Sequence, residues 1–164
     1  MSVLIAYATK YGTVERVAER IKERLSVPTE LVNLKVTQSP DVESYDVVLL
    51  GGSIYAGRIR PQVTKFCERH HSALLTRKVG LFVSCLYDGE QGQNQIQENF
   101  PGWLLSHAYA RYNVGGAVRF ARLRLIDRVL MQRIANISED FDHVNDEVID
   151  RIVEDVHGLV AAGR

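Results

Sequence analysis

The stretch VLIAYATKYGTVERVA, residues 3–18, constrains the fold more than any other part of the chain. It opens on a run apolar at every position (Val3, Leu4, Ile5, Ala6, Tyr7) and passes through the polar loop Thr9-Lys10-Tyr11-Gly12-Thr13. Charged residues follow, with Val14, Val17, Ala18 and Ile21 at helical spacing. A run that is apolar throughout, rather than alternating, reads as a parallel strand covered on both faces. A helix entered straight from a glycine-containing loop presents free backbone N–H groups and the positive end of its dipole. That turn suits an anion, most often a phosphate.

The same pattern recurs. Val47-Val48-Leu49-Leu50, closed by Gly51-Gly52, reads as a central parallel strand, and residues 78–86 (KVGLFVSCL) as another. Residues 29–34 (TELVNL) make a shorter strand, and residues 112–120 (YNVGGAVRF) a fifth with an internal glycine pair. Helical spacing predicts helices over 14–25, over 62–71 behind Pro61, over 91–108 with a break near Pro101-Gly102, and over 144–161. Residues 40–44 are a turn or brief helical link. Strands alternating with helices imply an α/β chain with a parallel sheet covered on both faces and right-handed crossovers.

The 164 residues read as a single domain, 1–164, with one segment, 121–145, surplus to a five-strand plan. Its core, LRLIDRVLMQRIANI, sets arginines at 122, 124, 128 and 133 against an apolar face of Leu123, Ile126, Val129, Leu130, Ile134 and Ile137. Such a helix packs on its own domain, meets a second copy to form a homodimer through 121–137, or lies peripherally on a membrane with its arginines near lipid phosphates.

Twenty basic and twenty acidic residues cancel, so no net field favours nucleic acid. Two cysteines, Cys67 and Cys85, are too few for a disulfide scaffold and read as core fillers in a reduced compartment. No basic region precedes Val3 to make a signal peptide, and no apolar run approaches the roughly 20 residues of a membrane span. The expected location is the cytoplasm, at most on the inner face of the cell membrane.

Three loops converge at the carboxyl edge of such a sheet, where open α/β folds bind ligands. They are 9–13, 53–60 and 85–89. The first has neither the GxGxxG spacing of dinucleotide sites nor the GxxxxGK[ST] of triphosphatases, so a monophosphate carried by a planar ring is expected. Tyr55, among Gly51, Gly52, Ser53, Ala56 and Gly57, is placed to stack on such a ring, and Tyr87 holds the matching place one strand later. Either tyrosine also reads as a plain loop residue with its hydroxyl in water.

AYATKYGT, VVLLGGSIYAGRIRP and FVSCLYDG resemble, over nearly the whole chain, the phosphate loop and two ring loops of the flavodoxin-like superfamily. GGSIYAGRIRP is similar to the branch holding the menaquinone-dependent protoporphyrinogen dehydrogenases. The resemblance implies a three-layer, doubly wound, five-stranded sheet in the order 2-1-3-4-5 and FMN as cofactor. It places Thr9, Lys10, Tyr11, Gly12 and Thr13 around the phosphate. Ser53, Ile54, Tyr55, Ala56 and Gly57 border one side of the isoalloxazine, and Cys85, Leu86, Tyr87, Asp88 and Gly89 the other. Val14 stands where the usual loop has a second hydroxyl, which removes one side-chain hydrogen bond to phosphate.

The implied activity is FMN-dependent dehydrogenation in heme biosynthesis, with a protoporphyrinogen-like tetrapyrrole as substrate and a quinone as acceptor. Arg58 and Arg60 follow the ring loop, where a guanidinium fork pairs with a substrate carboxylate or stays in solvent. No side chain stands out as catalytic, and His70, His71, His107, His143 and His157 lack metal-ligand spacing. The other functional readings are an electron carrier docking to a partner protein, and an interaction module without flavin.

Overall fold

The structure, a computed structural model, describes residues 1–133 and 135–163. In chain order come β1 (Val3–Ala8), α1 (Thr13–Arg24), β2 (Thr29–Asn33), β3 (Val47–Tyr55), β4 (Arg58–Ile59), α2 (Pro61–Arg69), α3 (His71–Leu75) and β5 (Lys78–Ser84). They are followed by α4 (Gly89–Asn99), α5 (Gly102–His107), β6 (Ala110–Asn113), β7 (Ala117–Val118), α6 (Leu125–Arg133), β8 (Phe141–Asp142) and α7 (Asp146–Ala162).

The parallel sheet runs β2-β1-β3-β5-β6, which is the doubly wound order expected once the hairpin strand β4 is set aside. Alternate residues of each strand feed opposite cores. Leu4, Ala6, Val48, Leu50, Leu81 and Val83 pack against α2 to α5 through Val63, Phe66, Leu74, Ile96 and Leu104. Val3, Ile5, Val47, Leu49 and Phe82 pack against α1 and α7 through Val17, Ile21, Ile149, Ile152 and Val156. This is why the central strands β1, β3 and β5 read as apolar runs rather than as alternating patterns. Helix α7 is fixed at its start by Asn145, whose side chain accepts from the N–H groups of Glu147 (3.0 Å) and Val148 (3.3 Å).

Three expectations are corrected. Gly51 and Gly52 do not end their strand, since β3 continues to Tyr55 and turns back through Ala56-Gly57 into β4. The glycines are there because the Phe82 ring occupies the space a side chain would need at 51, and Ile59 that at 52. Residues 112–120 are not one strand. Val114 still donates to the Val83 carbonyl (2.9 Å), but Gly115, at φ +77°, turns the chain out of the sheet, and β7 pairs antiparallel with β8.

The surplus segment does not present a single apolar face. Its buried stripe is Leu123, Asp127 and Met131, one helical turn apart, while Leu125 (75% exposed), Ile126 (81%) and Val129 (44%) face outward. Leu130 and Ile137 are half-buried, and Ile134 lies outside the described residues. Among the described residues no helix is long and apolar enough to cross a membrane.

Candidate functional site

Strand register brings the three loops to one edge. Ala8 pairs with Gly52, Gly52 with Val83, and Ser53 with Ser84, so β1, β3 and β5 end side by side. The residues just beyond surround a cleft of about 390 Å³. Because β2 and β3 flank β1 on opposite sides, this cleft sits where the winding of the sheet reverses.

Of the residues picked out from sequence, Thr9, Lys10, Tyr11, Gly12, Thr13, Ser53, Ile54, Tyr55, Cys85 and Leu86 line this cleft. Ala56, Gly57 and Tyr87 line an adjoining, more apolar hollow of about 380 Å³, which shares Ile54, Tyr55, Cys85 and Leu86 with the first. Asp88 and Gly89 line neither, because they form the start of α4. Arg58 is exposed on β4 and lines neither, whereas Arg60 lines a smaller polar cleft behind the first loop.

The first loop is built to leave donors free. Gly12 is the N-cap of α1 at φ 90°, with nothing within 4 Å of the place a Cβ would take. No side chain caps the helix. The Thr9 hydroxyl accepts instead from Gly12 N–H (2.9 Å), and Ser53 Oγ accepts from Lys10 N–H (3.1 Å), which ties the first loop to β3. First-turn N–H groups of a twelve-residue helix are therefore left for a ligand. Val14 is wholly buried among Val17, Ala18 and Ile21, so a hydroxyl there would not reach the cleft.

The group sequence reading did not single out is Asp127. This carboxylate, 7% exposed, reaches from α6 to both loops. Lys10 Nζ lies 2.9 Å from it, Tyr55 OH donates at 2.6 Å, and Tyr11 OH donates to its other oxygen. The Lys10 ammonium also sits 3.4 Å from the centroid of the Tyr55 ring, a cation–π contact. Burial by itself raises the Asp127 carboxyl, but the hydrogen bonds from Tyr11, Tyr55 and Lys10 outweigh it and bring the group down to about 2. Tyr55 and Tyr11 are pushed up, first by burial and then by donating to that carboxylate.

With Asp127 come Arg119, Arg122, Leu123 and Met131, which also line the main cleft. Asp127 was legible in one respect: it is the sole acidic residue in a stretch holding arginines at 111, 119, 122, 124, 128 and 133. Gln95, which lines the apolar hollow, carries a buried Oε1 with no partner. Among the described residues no group of His, Cys, Asp and Glu is arranged to hold a metal ion.

The flavodoxin domain family matches residues 4–145. Protoporphyrinogen IX dehydrogenase [quinone] of Escherichia coli (strain K12) is 23% identical over 157 residues, covering 91% of this chain and 87% of that one. The protein of the same name from Leishmania major is 26% identical over 144 residues, covering 82% and 62%. Among solved structures, the flavodoxin of Streptococcus pneumonia TIGR4 superposes with a TM-score of 0.56 at 12% identity, covering 84% of this chain and all (100%) of that one. Oxidised Flavodoxin 1 from Bacillus cereus gives a TM-score of 0.51 at 18% identity, covering 73% and 87%. The flavoprotein from Lactobacillus acidophilus NCFM, solved in complex with FMN, gives 0.53 at 14%, covering 68% and 92%.

Proposed function

The chain belongs to the flavodoxin domain family, and from that premise we propose that it is an FMN-dependent dehydrogenase of the protoporphyrinogen IX, quinone-linked type. The residues present fit the cofactor. The uncapped start of α1, with Gly12, Thr13 and the Gly12–Thr9 and Lys10–Ser53 hydrogen bonds around it, suits the phosphate. The hollow between Tyr55 and Leu86, with its unpartnered Gln95 carbonyl, suits a flat ring that carries an N–H. When bound, FMN supplies the two-electron acceptor, and the protein's part is to position the ring and set its surroundings.

The observation that carries the reading is that the segment 119–131, ending in α6, borders the cleft. Arg119, Arg122, Leu123 and Met131 add a wall of cationic and apolar groups, which matches an apolar substrate bearing carboxylates. Asp127 neutralises Lys10, so the phosphate is held chiefly by backbone N–H groups. Both tyrosines keep their protons at neutral pH and donate them to Asp127, so neither adds a negative charge beside the ring.

The quinone half of the proposal rests on the outer face of α6. Exposed Leu125, Ile126 and Val129 lie on the same short helix as Arg128 and Arg133 and just beyond Arg122 and Arg124, a pattern that suits an anionic lipid surface in which a quinone is dissolved. Co-sedimentation with liposomes containing anionic lipid, and none with neutral liposomes, is the expected result.

The test is to mix FMN-loaded protein with protoporphyrinogen and a menaquinone analogue and to follow porphyrin fluorescence. Porphyrin formation well above spontaneous oxidation supports the reading. No acceleration, with protein that holds FMN and is reduced by a donor protein, would replace it with an electron carrier.

A further inference from the structure

Behind the loop after β1 lies a separate cleft of about 150 Å³, bordered by Lys35, Arg60, Gln62 and Arg124 and sharing Thr9, Lys10 and Tyr11 with the main one. Its cations come from four places in the chain: the loop itself, the segment after β2, the link from β4 to α2, and the segment before α6. No acidic side chain lines it. Lys10 is matched by Asp127, but Lys35, Arg60 and Arg124 form no ion pair among the described residues. Like charges gathered around a polar hollow repel one another unless an anion sits between them.

From this we propose that the cleft is an anion subsite that receives a carboxylate arm of the substrate; this rests on the dehydrogenase reading above. Size and wall chemistry decide the class. About 150 Å³ holds a carboxylate with its short stem and a water or two, and excludes a tetrapyrrole ring. The cofactor's phosphate is provided for elsewhere, since Gly12 and Thr13 at the start of α1 line the main cleft and not this one. Arg60 and Arg124 offer guanidinium forks that match a carboxylate with two parallel hydrogen bonds. Gln62 carries a buried Oε1 with no partner, so turning its amide to offer N–H groups breaks no bond of that oxygen.

The shared loop makes the arrangement usable. Arg124 is held at the loop by its own N–H, which donates to Tyr11 OH at 3.4 Å, while Tyr11 also donates to Asp127. Arg124 thus borders the same cleft as Arg60, and because Thr9, Lys10 and Tyr11 line both clefts, a substrate held at the main one lies a single loop away from it.

The experiment compares protoporphyrin with its dimethyl ester, which keeps the ring and removes both charges, as ligands of the FMN-loaded protein by fluorescence titration. The diacid is expected to bind about ten-fold more tightly or better, the size of one charge-assisted hydrogen bond. In the double variant R60Q/R124Q, shown folded by circular dichroism, that preference is expected to drop at least several-fold, Arg119 and Arg122 being untouched, while FMN affinity stays within about two-fold. Equal binding of diacid and ester by the unaltered protein, or a preference undiminished in the variant, overturns the subsite. So does a parallel loss of FMN affinity, which would assign the cleft to the cofactor. Turnover of protoporphyrinogen without any diacid preference would sink the subsite and leave the dehydrogenase standing; discrimination without turnover would do the reverse.

Discussion

Lys10 and Asp127 form an ion pair of 2.9 Å that joins the loop after β1 to helix α6. The pair is mostly shielded from solvent, with Lys10 23% and Asp127 10% exposed at the side chain, and two tyrosine hydroxyls complete it. The tie works alongside the packing of Leu123 and Met131 against Tyr11, Tyr55 and Leu86.

Asp127→Asn keeps the shape of the side chain and removes its charge. It is expected to destabilise the protein by about 1.5–3 kcal/mol, the range for hydrogen bonds to a charged group. Urea unfolding gives the number, and limited proteolysis gives the place, with new cleavage expected around 120–133. Cleavage elsewhere, with the segment still protected, would contradict the tie.

The pH dependence has a definite sign. The Asp127 carboxyl is held at about 2 in the folded chain, below its ordinary 3.8. Its contribution to stability is therefore complete above about pH 4 and is lost as pH falls from there toward about 2. Acid unfolding of Asp127→Asn should lack this component, so the two proteins should converge in stability near pH 2.

Tyr55→Leu retains an apolar side chain and removes the aromatic face and the hydroxyl bonded to Asp127. FMN affinity is expected to fall by about 2- to 10-fold, the range of an offset aromatic stack beyond its buried area. Titration by flavin fluorescence quenching measures it. Unchanged affinity would place the ring away from Tyr55.

Gly115→Ala should be among the most damaging single changes outside the core. A Cβ at φ +77° is strained in itself, and it would also collide with the His143 carbonyl oxygen. A loss of at least about 2 kcal/mol is expected by denaturant titration.

The thiols should be silent in the folded protein. Burial raises both, taking Cys67 to about 12, and Cys85 is 3% exposed. A thiol reagent at pH 8 should react with neither within minutes and with both in urea. Rapid labelling of Cys85 alone would show that the ring loop opens.

How far the residues announced this arrangement depends on the range of the interaction. The sheet was readable because its central strands are buried on both faces and so carry their signal in their own residues, as in VLIAY and VVLL. Pro61 at the start of α2 and the break at Pro101 were readable because proline acts on its immediate neighbours. Gly51 and Gly52 misled, because their cause is Phe82 on β5 and Ile59 on β4, outside any local window. Asp127 was hidden for the same reason. A carboxylate in an arginine-rich helix looks like one more solvated charge until Lys10, Tyr11 and Tyr55 are brought beside it.

The two ends of the excursion between β6 and α7 meet. His143 donates to the Gly116 carbonyl and Asn145 to that of Val114, both at 2.9 Å. Whatever is spliced between those anchors can lengthen, shorten or be exchanged for a plain connector without shifting a strand. A bench chimera carrying a foreign cassette between those anchors should keep the parallel sheet, at the cost in stability of losing Asp127, while changing what it accepts.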